Sequence, residues 1–199
     1  MDLAQFKERF NLSPQPQNAD RFCVPRQVAS TIEYRDSAVL IPIVEINNQL
    51  EVLLTQRPLY LKHHPGQICF PGGKVAEGDT TLEDTALREL HEELGVIPDR
   101  IKVLGQLPIQ HTYTQFQITP IVGVLDNLEN LTIDSNEVAD HFTVPLTQLS
   151  HPSNQQSIKV KRRNIEIEVL MINAQQRLIW GVTASIIHTL QQKVGLNVI

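Results

Sequence analysis

Three glutamates stand close together in Arg88–Val96, a segment that reads RELHEELGV. On a helix, Glu89, Glu92 and Glu93 occupy positions i, i+3 and i+4, so their carboxylates share one face. Like charges this close destabilise an isolated helix, and a cation would compensate for them. Hard divalent ions such as Mg²⁺ bind oxygen and often keep water or substrate phosphate as further ligands. The spacing therefore predicts a metal site, with a solvated acidic helix face as the alternative.

A glycine turn, Phe70-Pro71-Gly72-Gly73, lies upstream of the acidic segment. Glycine lets backbone N–H groups approach an anion closely. A Pro-Gly-Gly turn alone is weak evidence, because many plain turns contain it. Before a helix with clustered carboxylates, it predicts that a diphosphate and its metal lie side by side, with Gly72 and Gly73 contacting the substrate. The residues alone thus predict a metal-dependent enzyme acting on phosphate esters or anhydrides.

The acidic segment ends a predicted helix over Thr80–Leu94, which Thr80 or Thr81 can cap and Gly95 can terminate. One apolar stripe at helical spacing supports this helix: Leu82, Ala86, Leu90 and Leu94. The preceding Arg57–Val75 holds so many prolines and glycines that it predicts a shaped loop. The loop and the helix together would position the candidate site.

The rest of the chain alternates between strands and helices. The predicted elements are a short helix over Asp2–Phe10, a hairpin of Ser37–Ile46 and Leu50–Gln56, strands over Ile101–Pro108 and Gln115–Val124, a second hairpin over Ile158–Ile172 turning near Arg163-Asn164, and an amphipathic helix over Thr183–Val194. This order favours a mixed β-sheet sandwiched between helices, of the α/β (α+β) class, over regular βαβ alternation. We expect one domain over residues 1–199, with its core at about 35–195 and a helix and linker in 1–34.

The composition sets limits on partners and compartment. A chain of 199 residues with 41% hydrophobic and 20% charged residues is typical of soluble globular proteins. Its net charge of −5 argues against broad nucleic-acid binding. Two cysteines are too few for a disulfide framework, and neither a secretory signal nor an apolar span is evident. We expect a cytoplasmic protein without nucleic-acid or membrane partners. The stripe of the last helix fits core packing or a homodimer interface.

The segment from Gly73 to Val96 resembles the Nudix box, G-x5-E-x7-R-E-U-x-E-E-x-G-U, where U is aliphatic. From Arg88 onward every fixed position matches. The first half departs: the spacing from Gly73 to Arg88 is one residue longer, and Asp79 or nothing replaces the middle glutamate. Asp79 is then the nearest candidate partner of Arg88. The resemblance implies the Nudix fold and Mg²⁺ or Mn²⁺ bound by the box glutamates, which are Glu89, Glu92 and Glu93.

A second, narrower resemblance points to the coenzyme A pyrophosphatase branch of that family. Leu54-Thr55-Gln56-Arg57, followed by Lys62, Gly66 and the glycine turn, is similar to its signature. This chain has Pro58 where the branch has Ser or Ala, and Lys62 where it has Arg, which loses a bidentate fork. The resemblance implies hydrolysis of coenzyme A to 3′,5′-ADP and 4′-phosphopantetheine, with water attacking phosphorus. Arg57 and Lys62 would contact the substrate phosphates.

Several roles and functions stay open at this point. Glu89 and Glu93 are the expected direct ligands, and Glu92 is a ligand or a base acting through water. Glu137 is a further catalytic or metal-binding candidate, with a helix N-terminal acid as the alternative; the catalytic candidates are thus Glu92, Glu93 and Glu137. The small-molecule substrate could instead be ADP-ribose or another nucleoside diphosphate derivative. A nucleotide-sensing module without catalysis is the minor alternative, because such modules are expected to lose box carboxylates.

Overall fold

A computed structural model describes residues 1–17, 19, 21–24, 29, 33–162 and 165–196. Within these residues, eight strands form one mixed sheet in the order β3-β2-β1-β7-β5, with β4 on β1, β6 on β7 and β8 on β2. Of the strand pairings that the described residues form in this sheet, only that of β1 with β7 is parallel. The strands are β1 (Arg35–Ile46), β2 (Gln49–Gln56), β3 (Ile68–Cys69), β4 (Gly72–Lys74), β5 (Ile101–Gln106), β6 (Gln110–His111), β7 (Phe116–Leu125) and β8 (Asp140–Pro145).

A second, three-stranded antiparallel sheet follows in the sequence, in the order β11-β10-β9. Its strands are β9 (Gln155–Arg162), β10 (Ile165–Ala174) and β11 (Arg177–Trp180). The α-helices of the described residues are α1 (Leu3–Leu12), α2 (Leu82–Leu94), α3 (Leu146–Leu149) and α4 (Val182–Lys193). None of the helices in this part of the chain is long and apolar enough to cross a membrane.

Helix α2 has the ends that its sequence predicts. Thr81 is the N-cap: its hydroxyl accepts from the Asp84 N–H at 3.0 Å, and the Asp84 carboxylate accepts from the Thr81 N–H at 2.8 Å. This reciprocal pair satisfies two backbone donors that the helix leaves open. Gly95 ends the helix with φ 70° and donates its N–H to the His91 carbonyl. A left-handed residue is easiest for glycine, which explains its place here.

Successive side chains of β1 point to opposite faces of the main sheet, so they pack in two separate cores. Ala38 and Leu40 face α2 and pack with its Ala86, Leu90 and Leu94. Ile41 and Ile43 face the opposite side and pack in a core with α1, α4 and the second sheet. The predicted mixed sheet with helices on its faces is therefore confirmed. Because α2 covers one face only, its carboxylates lie at the edge where β1 meets the glycine turn.

Four details differ from the sequence predictions. The predicted loop Arg57–Val75 contains the short strand β3, which pairs with β2, and the short strand β4, whose glycines allow close pairing with β1. Strand β11 was missed, and so were β8 and α3, which follow each other directly in the chain. The last helix is buried on all sides rather than on one: Thr183–Gln191 is buried throughout, since both α1 and the second sheet pack around it. The predicted turn at Arg163-Asn164 lies outside the described residues.

Candidate metal and diphosphate site

Three carboxylates converge beside the C-terminal half of α2. Each of Glu89, Glu93 and Glu137 offers one ligand oxygen, and these oxygens all lie within 4.8 Å of one another. Glu89 and Glu93 are one helical turn apart, whereas Glu137 comes from a turn after β7. Ligands on opposite sides of a Mg²⁺ ion lie about 4 Å apart. The cluster therefore has the chemistry and the spacing to hold a hard divalent cation.

Glu93 is the most deeply placed member of the cluster. It is only 2% exposed, and its Oε2 has no hydrogen-bond partner among the described residues. Burial raises the pKa of Glu93 to about 8, although the Gly72 N–H opposes that shift. Burial also raises the pKa of Glu89. A buried carboxylate oxygen without a partner is costly, and a bound cation would supply the interaction that Oε2 lacks.

The glycine turn forms one wall of this carboxylate cluster. A Cβ added to Gly73 would lie 2.2 Å from Oε1 of Glu89, and one added to Gly72 would lie 2.5 Å from the Ala38 carbonyl oxygen. Both distances are too short for a real contact, so any side chain would displace its neighbours. Glycine at these two positions lets the turn touch the Glu89 carboxylate and the first strand at once.

Arg88 connects the turn, the loop and the helix. Its Nε and Nη2 donate to the two carboxylate oxygens of Asp79 at 3.0 Å each, and Nη2 also donates to the Lys74 carbonyl at 3.0 Å. Its Nη1 donates to Glu89 at 2.9 Å and to Glu92 at 3.0 Å. Arg88 lowers the pKa of Asp79. Asp79 is thus the partner of Arg88, and Arg88 fixes the rotamer of Glu89.

Glu92 occupies a different position from the other two box glutamates. Its side chain is 56% exposed and points to Arg88. Among the described residues it is not part of the cluster that joins Glu89, Glu93 and Glu137. Helical spacing placed all three box glutamates on one face, but the loop that carries Glu137 covers only two of them. A metal or catalytic role of Glu92 stays a prediction.

The segment before Glu137 is anchored to α2. Asp134 donates its N–H to the Glu93 carbonyl at 3.0 Å, and its own carbonyl accepts from the N–H groups of Glu137 and Val138 at 3.1 and 2.9 Å. Val138 is 1% exposed and packs in the α2 core. Glu137 therefore lies in a turn rather than at a helix N-terminus, and its backbone is fixed relative to Glu93.

A second contact ties the same turn to the loop after β2. The Tyr60 hydroxyl donates to the Ser135 carbonyl at 2.6 Å. At the other end of the turn, Ala139 donates its N–H to the Gln56 carbonyl at 2.8 Å. The loop that carries Arg57 is therefore linked to the loop that carries Glu137. Nothing in the sequence pattern indicates the Tyr60 contact, because it joins residues 75 positions apart.

A cavity of about 490 Å³ lies on the other side of the glycine turn, against the sheet face opposite α2. Its polar rim near the turn includes Arg57, Gly72, Gly73 and Lys74. The far wall comes from the second sheet, which contributes Trp180, and from α4, whereas Phe116 of β7 lines the cavity from the main sheet. The cavity and the carboxylate cluster share the glycine turn, so one substrate can touch both.

The two predicted cations lie differently. Arg57 lines the cavity, its Nε is buried without a hydrogen-bond partner in the described part of the chain, and its charge acts to lower the pKa of Glu93. Lys62 is exposed and does not line the cavity. Sequence reasoning missed Lys74, Phe116 and Trp180. The residue following the glycine turn was the available signal for Lys74, whereas Trp180 belongs to the missed strand β11.

Cys69 has the surroundings of a structural residue. Burial raises the pKa of its thiol to about 11, so the thiolate is scarce at neutral pH. A thiol is a much weaker nucleophile than a thiolate. Cys69 is therefore a small structural residue of β3 rather than a nucleophile.

Comparison with known proteins gives a consistent result. The NUDIX domain family matches residues 34–163. A relative named "Uncharacterized Nudix hydrolase NudL" from Escherichia coli O7:K1 is 37% identical over 173 residues, which cover 87% of this chain and 90% of the relative. Among solved structures, a MutT/nudix family protein from Enterococcus faecalis has a TM-score of 0.54 at 17% identity, covering 98% of this chain and 70% of that one. The latter likeness concerns the fold alone.

Proposed function

Because the chain belongs to the Nudix family, we propose that it is a metal-dependent diphosphatase that hydrolyses coenzyme A to 3′,5′-ADP and 4′-phosphopantetheine. The observation that carries this proposal is the shared wall: Gly72-Gly73 separates the three-carboxylate cluster from a cavity that Arg57 lines. A diphosphate at this wall would meet the metal ligands on one side. Its two organic halves would extend away from the wall.

The residues of the site would have different roles in hydrolysis. Glu89, Glu93 and Glu137 would hold Mg²⁺ or Mn²⁺, which supplies charge neutralisation and a more acidic water when bound. The N–H groups of the glycine turn and the guanidinium of Arg57 would bind the phosphate oxygens and orient the phosphorus for attack. Arg88 keeps the Glu89 carboxylate in place through its 2.9 Å contact. Glu92 and Glu137 are the candidate bases for the attacking water.

The choice of coenzyme A depends on the narrower signature around Arg57. That residue lies at the cavity, as contact with substrate phosphate requires. Pro58 and Lys62 depart from the signature, and Lys62 lies away from the cavity lining. ADP-ribose or another nucleoside diphosphate derivative is therefore the second candidate, since the same metal site would cleave it.

A substrate panel tests the proposal. Coenzyme A, ADP-ribose and a dinucleoside polyphosphate would be compared by kcat/KM with Mg²⁺ and with Mn²⁺. The highest kcat/KM on coenzyme A is the expected result. A higher value on ADP-ribose would support the second candidate. Calorimetric binding of a nucleotide without turnover of any compound would overturn the enzymatic proposal altogether.

A further inference from the structure

Two cations and an aromatic ring share one sheet face at the mouth of the cavity. In the parallel pairing of β1 with β7, Arg35 is opposite Phe116, and Ser37 is opposite Ile118. In the antiparallel pairing of β1 with β4, Ser37 is opposite Lys74. Paired residues point to the same side of a sheet, and so do residues two apart on one strand. Arg35, Lys74 and Phe116 therefore lie on the cavity face rather than on the face under α2.

The side chains converge as this register predicts. The Arg35 guanidinium carbon lies 4.2 Å from the centre of the Phe116 ring, and the Lys74 ammonium nitrogen lies 5.7 Å from it. Both distances are in the range of cation–π contacts. Lys74 and Phe116 also line the cavity. Both positive charges thus contact one aromatic ring beside the space that the substrate would occupy.

These two charges lack the acidic partners that surface cations commonly have. Among the described residues, neither Arg35 nor Lys74 forms an ion pair, and the one side-chain hydrogen bond of Arg35 is long, at 3.5 Å to the Thr114 carbonyl. The carboxylate that does line the cavity, Glu168, is paired with Arg21 at 3.3 Å. An anion beside the ring would supply the missing negative partner and accept charge-assisted hydrogen bonds from these cations.

We propose that Arg35 and Lys74, beside Phe116, bind a phosphomonoester on the ribose of the substrate, the 3′-phosphate in the case of coenzyme A. This subsite rests on the proposed function, because it takes the diphosphate at the glycine turn as its reference. Lys74 directly follows that turn, so a nucleotide whose diphosphate contacts Gly72-Gly73 places its ribose near Lys74. A dianionic monoester matches the two charges. Binding at this subsite favours coenzyme A over ADP-ribose, because ADP-ribose lacks the additional phosphate.

The first test compares coenzyme A with 3′-dephospho-coenzyme A, which differ only in the monoester. In the wild type, kcat/KM should be at least about tenfold higher for coenzyme A, the lower limit of what one hydrogen bond to a charged group contributes. Arg35→Gln and Lys74→Gln should each reduce this ratio, and the double variant should bring it close to one. Lys102→Gln, which removes an exposed cation of β5, is the matched control and should keep the wild-type ratio.

The second test measures binding without turnover. Calorimetry in the presence of a chelator would compare 3′,5′-ADP with 5′-AMP, and the wild type should bind 3′,5′-ADP at least about tenfold more tightly. Equal affinities, or a preference that survives in the Arg35→Gln/Lys74→Gln variant, would overturn the subsite. If coenzyme A is cleaved at the diphosphate but the ratio to its dephospho form is one, the subsite fails while the proposed function stands. If coenzyme A is not cleaved but 3′,5′-ADP is preferred, the proposed function fails while the anion site stands.

Discussion

Arg88 and Asp79 form a two-pronged salt bridge, with Nε and Nη2 each 3.0 Å from a separate carboxylate oxygen. Asp79 also accepts from the Ala76 N–H and from the Thr85 hydroxyl, at 2.9 Å each. The box of this chain lacks its usual middle glutamate. The longer loop compensates because it brings the shorter aspartate within reach of the arginine that positions Glu89.

Replacing Asp79 with asparagine should weaken both stability and metal binding. Asparagine removes the charge that Arg88 pairs with, so we expect the free energy of unfolding to fall by about 1–3 kcal/mol. The half-saturating Mg²⁺ concentration should rise, because Arg88 would hold Glu89 less firmly. Urea denaturation and Mg²⁺ titration of activity measure these changes. Asp99→Asn, at an exposed aspartate outside this network, should change neither, and equal effects of both substitutions would contradict the role of the pair.

Glu93 should make the metal-free protein less stable as the pH rises. Burial raises its pKa to about 8 from an ordinary 4.5, so the folded chain keeps a proton that the unfolded chain has lost. The contribution of this proton to the free energy of unfolding is complete below pH 4.5 and disappears as the pH passes through about 8. We expect the free energy of unfolding to fall by at most about 1.4 kcal/mol per pH unit. Buried His188 has the opposite dependence, because its pKa is lowered to about 4 from 6.5, so it is neutral in both states above about pH 7.

Urea denaturation in a chelator between about pH 7 and pH 8 measures this dependence. Glu93→Gln removes the titrating group and should flatten the curve, whereas Glu129→Gln, at an exposed position, should keep the wild-type slope. A Glu93→Gln curve parallel to that of the wild type would show that another group carries the proton.

Gly73→Ala should inactivate the enzyme without unfolding it. The added methyl would lie 2.2 Å from the Glu89 carboxylate, so Glu89 must move out of the cluster. A displacement of about 1 Å at a reacting centre costs about 100-fold in rate, and kcat/KM should fall by at least that factor. Gly78→Ala is the control: its added Cβ meets none of the described atoms within 4 Å, and its φ of +105° means that the substitution strains the backbone without touching the cluster, so it should lower stability and keep kcat/KM. Full activity of Gly73→Ala would mean that Glu89 does not bind the metal where the cluster places it.

Glu137→Gln and Glu92→Gln should separate metal binding from catalysis. Glu137 lies in the cluster and Glu92 does not, so Glu137→Gln should weaken Mn²⁺ binding by at least about tenfold, as loss of a group at a metal site does. Glu92→Gln should bind Mn²⁺ as the wild type does. Titration of the Mn²⁺ electron paramagnetic resonance signal measures both affinities. A reversed order would place Glu92, rather than Glu137, among the ligands, and a lower kcat of Glu92→Gln with unchanged Mn²⁺ binding would identify a base.

Tyr60→Phe should loosen the Glu137 loop. The hydroxyl that donates to the Ser135 carbonyl at 2.6 Å would be lost, and a single hydrogen bond corresponds to about a threefold to tenfold change. We expect the half-saturating Mn²⁺ concentration to rise by about threefold. Tyr34→Phe is matched to it, since the Tyr34 hydroxyl has no hydrogen-bond partner among the described residues. If the two variants shift the Mn²⁺ titration equally, the contact does not position Glu137.

The sequence predicts the local parts of this site well. The cap at Thr81, the end at Gly95 and the spacing of Glu89 and Glu93 all depend on residues within one helix. The hairpin of β1 and β2 has adjacent residues at its turn, Asn47 and Asn48, both with positive φ. Such features follow from short-range rules of capping, periodicity and turn chemistry.

The long-range parts of the site could not be predicted in the same way. Glu137 joins the cluster because Asp134 bonds to the end of α2, and this contact between distant segments leaves no periodic signal. The cavity depends on how the second sheet packs against β1 and β7, so Trp180 and Lys74 were not recognised. Helix α4 has a sequence that reads as amphipathic, yet neighbours cover it on all sides.

Identification of the products formed from coenzyme A is the most direct test of the central claim. The protein would be incubated with coenzyme A and Mg²⁺, and the mixture would be separated by chromatography and identified by mass, beside a Glu93→Gln control. We expect 3′,5′-ADP and 4′-phosphopantetheine with the wild type, and intact coenzyme A with the variant or with a chelator. If the wild type leaves coenzyme A intact under conditions in which it cleaves ADP-ribose, that result would contradict the proposal that coenzyme A is the substrate.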